Sequence, residues 1–112
     1  MRFNLNNKKF KPLTNSDNGE VAETTIFHYF QEENIIWAEY SGGGILKGYL
    51  VGKMVDRELI FNYQHINQDF EIMTGKCQSQ LLINESDKIQ LFEKWEWTCR
   101  DFSKGESTLI EF

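Results

Sequence analysis

Polar side chains able to bind a small molecule are interspersed with aromatic ones in the middle and later parts of the chain. The candidate ligand-binding residues are Tyr40, Tyr63, His65, Cys77, Ser79, Glu93, Trp95 and Trp97, with Glu39 as a further candidate. A few polar groups converging in an apolar cavity are the usual composition of a small-molecule site. The alternative is a packed interior in which these side chains only satisfy one another, because small barrels are mostly filled by side chains.

Spacing predicts that several of these candidates share one interior space. Residues two apart along a strand point to the same face of the sheet. Tyr63 and His65 lie on the more apolar face of one predicted strand, and Glu93, Trp95 and Trp97 lie on the more apolar face of another. Such faces should point to the core. A buried Glu93 then needs a hydrogen-bonding partner, for which we expect His65 or the Tyr63 hydroxyl.

Catalytic and metal-binding chemistry finds weaker support. The two histidines and two cysteines lack the spacing of a structural zinc site, so we expect neither a metal nor another cofactor. Cys77 and His65 could form a nucleophile–base pair, although a buried, inert thiol is far commoner. Glu93 and Glu96 lie an odd number of positions apart and so on opposite faces of a strand, which makes them a poor acid–base pair. No catalytic residue is assigned.

Ile35 to Gly52 is the clearest structural signal. β-Branched and aromatic residues lead into Ser41-Gly42-Gly43-Gly44, whose glycines can adopt the positive φ of a tight hairpin turn. One face of the second arm is then expected to carry Gly44, Leu46, Gly48, Leu50 and Gly52. Repeated glycines in a strand indicate sharp coiling or close approach of another backbone, as in a small closed barrel.

The same glycines do not match two known binding loops. A phosphate-binding loop needs Gly-Lys before a helix, whereas the order here is Lys47-Gly48 and a strand pattern follows. Glu39-x-x-Gly42-x-Gly44 has the glycine spacing of an acyl-CoA loop, but it begins with a carboxylate and no helix follows. A hairpin turn is the simpler interpretation.

Period-2 alternation continues along most of the chain, and no helical period is present. Predicted strands are Val21–Gln31, the two arms of Ile35–Gly52, Leu59–Ile66, Phe70–Ile83, Ile89–Thr98 and Ser107–Phe112. A bulge or bend is expected at Gly75, and residues 1–18 are expected to be an N-terminal arm, a plug or a short first strand. About seven or eight short antiparallel strands with small turns predict an all-β, up-and-down barrel.

Length and charge limit the classes of protein further. A chain of 112 residues fits one domain over residues 1–112, and a net charge of −5 argues against nucleic acid or an anionic membrane as a partner. The polar, basic start lacks the apolar core of a secretory signal, and no run reaches transmembrane length. We therefore expect a cytoplasmic protein with Cys77 and Cys99 as free thiols.

Short segments throughout the chain also form a recognisable set. They are Asn18-Gly19-Glu20-Val21, Tyr40-Ser41-Gly42-Gly43, Tyr63-Gln64-His65-Ile66-Asn67, Thr74-Gly75-Lys76-Cys77-Gln78-Ser79 and Glu93-Lys94-Trp95-Glu96-Trp97. In these the chain resembles, over nearly its whole length, a family of small bacterial β-barrel proteins often labelled N-acetylglutamate synthase. The resemblance implies a calycin- or lipocalin-like barrel. Acetyltransferase activity is not expected, because the acetyl-CoA fold alternates helices and strands, and this pattern has no helices.

Three classes of function remain, in order of preference. The first is a barrel that binds a small apolar or amphipathic ligand, since barrels commonly hold one in the mouth. The second is a structural or protein-interaction module, such as a homodimer, which would show a closed interior and an exposed apolar patch. The third is an enzyme that uses an interior histidine and glutamate, which a strongly perturbed histidine in an open cavity would favour.

Overall fold

Antiparallel β-strands form nearly all of the fold, and the computed structural model describes residues 3–16 and 18–112. The strands are β1 (Lys8–Asn15), β2 (Ile26–Glu32), β3 (Ile35–Gly42), β4 (Ile45–Val55), β5 (Glu58–Asn67), β6 (Ile72–Ile83), β7 (Ile89–Trp97) and β8 (Lys104–Glu111). Each strand pairs with the next and β8 pairs with β1, which closes the sheet into a barrel. The prediction of an all-β, up-and-down barrel is confirmed. Within the described ranges, no helix is long and apolar enough to span a membrane.

Alternating burial along the strands explains the closed shape. In β7, Leu91, Glu93 and Trp95 are buried, whereas the intervening Phe92 and Lys94 are exposed. β5 has the same alternation, with its buried face following Leu59, Phe61 and His65. Because every strand carries one apolar face, closing the sheet buries all of these faces in a single core.

Two strands begin three or more residues away from the expected position. β2 begins at Ile26 rather than Val21, because the Thr25 amide donates to the Ala22 carbonyl (2.9 Å) and forms a turn. The Thr25 side chain is itself buried and donates to the Gly42 carbonyl (3.0 Å). β8 begins at Lys104 rather than Ser107, since the pairing with β7 extends to Lys104 and Glu96. Period-2 patterning had marked the strands but not their ends.

The expected bulge at Gly75 is wrong. Gly75 pairs in regular register with both neighbouring strands, so that the parity of β6 is unbroken. An irregularity lies instead between Ile45 and Lys47 in β4. It turns Leu46 outwards, where its side chain is 49% exposed, and turns Ile45 into the core, so Leu46 does not share the face of Gly48 as expected.

Glycines on the inner face of the barrel lie opposite aromatic residues of neighbouring strands. The cross-strand pairs are Tyr40 with Gly48, Phe61 with Gly52, Tyr63 with Gly75 and Trp95 with Gly105. At Gly48, Gly75 and Gly105 an added Cβ would overlap the ring of the aromatic partner, and at Gly48 it would lie 2.5 Å from the Tyr40 ring. At Gly52 it would instead overlap the backbone of Ile60 and Phe61. The sequence predicted the close approach of another backbone, which is found at Gly52, whereas at the other three glycines the approaching group is an aromatic ring.

The two ends of the barrel are covered by different segments. At the end formed by the β2–β3 and β4–β5 turns, Phe3 and Leu5 are buried, and the Leu5 amide donates to the Gln31 side chain (2.9 Å). Of the alternatives expected for the N-terminal region, a first strand is present as β1, which pairs with β2 and β8. At the opposite end, residues 18–22 of the β1–β2 connection cross the barrel opening. These residues are called the mouth segment below.

Candidate ligand-binding site

An interior cavity of about 50 Å³ lies beneath the mouth segment. Its lining consists of Asn15, Gly19, Glu20, Val21, Phe27, Tyr40, Leu50, Phe61, Tyr63, His65, Cys77, Glu93, Trp95, Trp97 and Ser107. The barrel strands supply the walls, and the mouth segment supplies the cover. A space of this size at the opening of a closed barrel can hold a small ligand or several water molecules.

Most of the candidate residues meet around this cavity. Its lining includes Tyr40, Tyr63, His65, Cys77, Glu93, Trp95 and Trp97. Ser79 is buried but lies behind the cavity wall, where its hydroxyl contacts Glu93. Glu39 points to the exterior of β3 and takes no part. The structure therefore places Tyr63, His65, Glu93, Trp95 and Trp97 around one interior space, in agreement with their parity.

Aromatic rings form a continuous wall along one side of the cavity. His65 and Trp97 have ring centroids 5.9 Å apart, and those of Trp95 and Trp97 are 5.6 Å apart. Tyr63 meets Trp97 at 5.8 Å, and Tyr40 meets His65 at 5.6 Å. All four pairs are edge-to-face, an arrangement that aromatic quadrupoles favour.

A hydrogen-bonded chain connects the mouth segment to the barrel. Glu20 Oε1 lies 2.7 Å from His65 Nε2, and His65 Nδ1 lies 3.0 Å from the Tyr40 hydroxyl. The second Glu20 oxygen accepts from the Asn67 amide at 3.1 Å. These contacts use the interior face of β5, where Asn67 follows His65 by two positions. The Glu20 carboxylate thus ties the cover to two buried side chains.

Further bonds hold the mouth segment at its flanks. The Trp97 indole N–H donates to the Asn18 carbonyl (3.1 Å), and the Asn15 amide donates to the Val21 carbonyl (2.9 Å). Trp95 donates in turn to the Ser107 hydroxyl (2.8 Å), which also contacts Asn15. Both tryptophan indoles therefore have hydrogen-bond partners at the edge of the cavity.

Burial and hydrogen bonding act in opposite directions on His65. Burial lowers the pKa of His65, and this effect exceeds the upward influence of the hydrogen bond and negative charge of Glu20. The imidazole is thus neutral at neutral pH, with one ring nitrogen donating and the other accepting. Because a carboxylate can only accept, the proton lies on Nε2, and Nδ1 accepts from Tyr40.

The expected partner of Glu93 is wrong. Neither His65 nor the Tyr63 hydroxyl bonds to it; the Ser79 hydroxyl does, at 3.4 Å. Ser79 and Glu93 are direct cross-strand partners, whereas His65 is engaged by Glu20. Burial raises the pKa of Glu93 to about 8, against a smaller downward effect of the Ser79 bond. Glu93 is consequently a neutral carboxylic acid at neutral pH.

A second unusual group lies in the same interior. The Tyr29 side chain is fully buried, and its hydroxyl has no hydrogen-bond partner within the part of the chain that the structure describes. Burial raises the pKa of this hydroxyl, and the charges of Glu93, Cys77 and Tyr40 raise it further. An unpaired buried hydroxyl costs free energy, so this residue is a weak point in the core.

The nucleophile–base pair considered for Cys77 and His65 does not form. The Cys77 thiol contacts the Ser79 hydroxyl, at 3.7 Å, and His65 bonds to Glu20 and Tyr40. Burial raises the pKa of Cys77, whereas a nucleophilic cysteine requires a lowered one. Cys77 and Cys99 are both free cysteines. Among the described residues, no group of three or more His, Cys, Asp and Glu side chains could hold a metal ion.

Sequence reasoning missed four polar contributors to the site, which are Asn15, Glu20, Asn67 and Ser107. Asn67 could have been found by extending the parity of Tyr63 and His65 by one more step along β5. Glu20 and Asn15 carried no comparable signal, because loop residues and strand ends have no periodicity that states which way they point. Their positions depend on how the mouth segment packs across the barrel.

Comparisons with known proteins agree with this architecture. No curated protein and no solved structure matches the chain. The family described as Avidin-like protein matches residues 3–112, which is nearly the whole chain. A closed eight-stranded antiparallel barrel is the calycin-type architecture of that family. The chain therefore belongs to the Avidin-like protein family.

Proposed function

We propose that this protein binds one small amphipathic molecule in the cavity beneath the mouth segment. Avidin-like proteins are small-molecule-binding barrels, with biotin as their ligand. In this chain the support is the cavity itself, where aromatic walls meet a few buried polar groups from different strands. That combination is typical of sites that orient a ligand through few hydrogen bonds and retain it through apolar contact.

The mouth segment gives the cavity an entrance that can open. Glu20 is the main link between this segment and the buried groups, and its side chain is still 23% exposed. A ligand larger than the enclosed space would enter by displacing Glu20 from His65 and Asn67. Their hydrogen-bonding atoms would then be free to contact the ligand.

Tryptophan fluorescence offers a direct test. Trp95 and Trp97 line the cavity, and Trp37 is on the outer face, so a Trp37→Phe variant reports on the cavity alone. Titration of this variant with biotin and with a panel of small amphipathic molecules should give saturable quenching by at least one compound, at one molecule per chain.

A pair of substitutions on one strand provides the control. Leu50→Phe adds volume to the cavity wall and should abolish the quenching, whereas Leu46→Phe, on the exposed side of the β4 irregularity, should leave it unchanged. Quenching that persists in Leu50→Phe would place the bound molecule elsewhere on the protein and contradict the proposal.

A protein-interaction role is the second candidate, supported by the outer face of the sheet. Apolar side chains of three consecutive strands are exposed there: Ile35, Trp37, Tyr49, Val51 and Ile60. Trp37 and Val51 are direct cross-strand partners, and the Val51 side chain is 61% exposed. Sedimentation of the wild type and of Val51→Lys would test self-association through this face. A monomer in both cases would remove the homodimer from consideration.

No catalytic role is proposed for the chain of Glu20, His65 and Tyr40. A carboxylate, an imidazole and a hydroxyl in sequence resemble the order of groups that activate a nucleophile. Burial raises the pKa of the Tyr40 hydroxyl, with smaller contributions from surrounding acidic groups. The phenol therefore stays protonated and serves as a hydrogen-bond donor. We likewise propose no acetyl transfer.

A further inference from the structure

Acidic side chains predominate over basic ones around the cavity. Among the described residues that line it, Glu20 and Glu93 are acidic, and none is a lysine or arginine. His65 does not compensate, because its pKa is lowered by burial and the ring stays neutral. The ionisable groups of the lining are therefore negatively charged or neutral, which makes binding of an anionic ligand unfavourable.

The aromatic wall also favours a positively charged ligand. Tyr40, Tyr63, Trp95 and Trp97 surround the space together with the two carboxyl groups. The electron-rich faces of tryptophan and tyrosine attract cations within about 6 Å of the ring centroid, and most strongly where water is excluded. Because the four rings line the same space, one small group bound there can contact more than one of them.

From this arrangement, and resting on the binding function proposed above, we infer that the ligand is a small organic cation, with an alkylated ammonium group held by the aromatic wall and the Glu93 carboxylate. A strongly hydrated or doubly charged ion would lose too much solvation on entering such an apolar space. An alkylated ammonium spreads a single charge over methyl groups and loses less.

Binding of a cation changes the protonation of Glu93. The pKa of Glu93 is about 8, because the carboxyl is buried. A cation beside it favours the ionised form, so the carboxylic acid releases its proton to solvent and the resulting carboxylate pairs with the ligand.

The other groups around Glu93 do not supply a competing positive charge. Ser79 donates to Glu93 from β6, and the negative charge of an ionised Glu93 raises the pKa of the Cys77 thiol and of the Tyr29, Tyr40 and Tyr63 hydroxyls, so these groups stay neutral. The remaining titratable residues of the lining are Glu20 and His65 at the mouth. Affinity for a cation should therefore fall about tenfold for each pH unit below the pKa of Glu93.

Three probes of similar shape separate charge from size: tetramethylammonium, neopentyl alcohol and pivalate. Each has a quaternary centre bearing methyl groups, and they carry a positive, no and a negative charge. Calorimetric titration of the full chain at about pH 8 should show tetramethylammonium binding about tenfold more tightly than neopentyl alcohol, with pivalate weakest. Between about pH 8 and pH 6, affinity should fall for the cation and stay level for the alcohol.

Two variants localise the effect. Glu93→Gln should remove both the preference for the cation and its pH dependence, and thermal unfolding checks that this variant is folded. Glu39→Gln removes the same charge from the outer face of β3 and should change neither property. Equal or tighter binding of the alcohol or of pivalate would overturn the cation assignment while upholding the binding function. Failure of all three probes to bind would count against both.

Discussion

Glu20 Oε1 lies 2.7 Å from His65 Nε2, and this contact joins a loop carboxylate to a buried imidazole at the mouth of the barrel. Since the hydrogen bond and charge of Glu20 raise the pKa of His65 against the larger effect of burial, Glu20→Gln should lower that pKa further. Titration of the His65 ring by NMR measures the change directly. If His65 titrates in Glu20→Gln as it does in the wild type, the contact does not persist in solution.

A second glutamate in the same connection provides a control variant that removes a negative charge without removing the contact to His65. Glu23 is exposed in the same β1–β2 connection and makes no side-chain hydrogen bond within the described ranges. Glu23→Gln should therefore leave the His65 titration unchanged. Pairing of Glu93 with His65, as the sequence predicted, would have made Glu93→Gln the informative change; Glu20→Gln is the informative one, because Glu93 bonds to Ser79 instead.

Glu93 should make stability depend on pH in an unusual direction. Its pKa is about 8 in the folded protein against an ordinary value of 4.5, so the folded state keeps a proton that the unfolded chain releases. The stability due to this group is complete below about pH 4.5 and is lost as pH rises through about 8, a change of roughly 3 to 5 kcal/mol. Urea denaturation across this range should show the decline in the wild type and a flatter profile in Glu93→Gln. Identical profiles would mean that Glu93 is already ionised in the folded state.

The aromatic–glycine pairs predict that adding a single methyl group at one of these glycines lowers the stability of the fold. At Gly75 an added Cβ would overlap the Tyr63 ring, whereas at Gly44 the nearest atom would be 3.4 Å away. Gly75→Ala should therefore lower the free energy of unfolding by about 1 to 3 kcal/mol, and Gly44→Ala should change it by less than about 0.5 kcal/mol. Combining Gly75→Ala with Tyr63→Leu should recover part of the loss, as chemical denaturation would measure. If the losses in free energy of unfolding from Gly75→Ala and Tyr63→Leu simply add in the double variant, the overlap is not the cause of the loss.

Two buried tyrosines should respond differently to loss of the hydroxyl. The Tyr40 hydroxyl bonds to His65 Nδ1 at 3.0 Å, so Tyr40→Phe leaves a buried acceptor unpaired and should cost about 1 to 2 kcal/mol of stability. The Tyr29 hydroxyl has no partner among the described residues, so Tyr29→Phe should be neutral or stabilising. Thermal unfolding of the two variants under the same conditions makes the comparison. A comparable loss in both would indicate that the Tyr29 hydroxyl is satisfied in solution.

Acetyl-CoA should show no saturable binding. The pyrophosphate of coenzyme A is usually held by backbone amides at the start of a helix, and the glycine-rich Gly42–Gly44 segment forms a turn between two strands. Equilibrium dialysis with acetyl-CoA, followed by an acetylation assay on glutamate, tests this. Saturable binding with turnover would show the synthase label to be correct for this chain.

The sequence by itself determined the fold class and the inward face of the central strands. Alternation in Leu59–His65 and in Leu91–Trp97 is a local property, because successive side chains of a strand must point to opposite faces. Tyr63, His65, Glu93, Trp95 and Trp97 consequently converge on one cavity. The glycines of β4 predicted the close approach of another backbone, which holds at Gly52, whereas at Gly48 the approaching group is the Tyr40 ring.

Tertiary structure decided which of these groups became partners. Glu93 pairs with Ser79 because strand register places them opposite each other, and register is a relation between segments that no single segment encodes. Glu20 reaches His65 because the mouth segment crosses the barrel opening, and a loop has no periodicity from which its direction could be inferred. The inward residues were therefore readable from local alternation, whereas the hydrogen bonds and pKa values of the site depend on contacts that exist only once the barrel has closed.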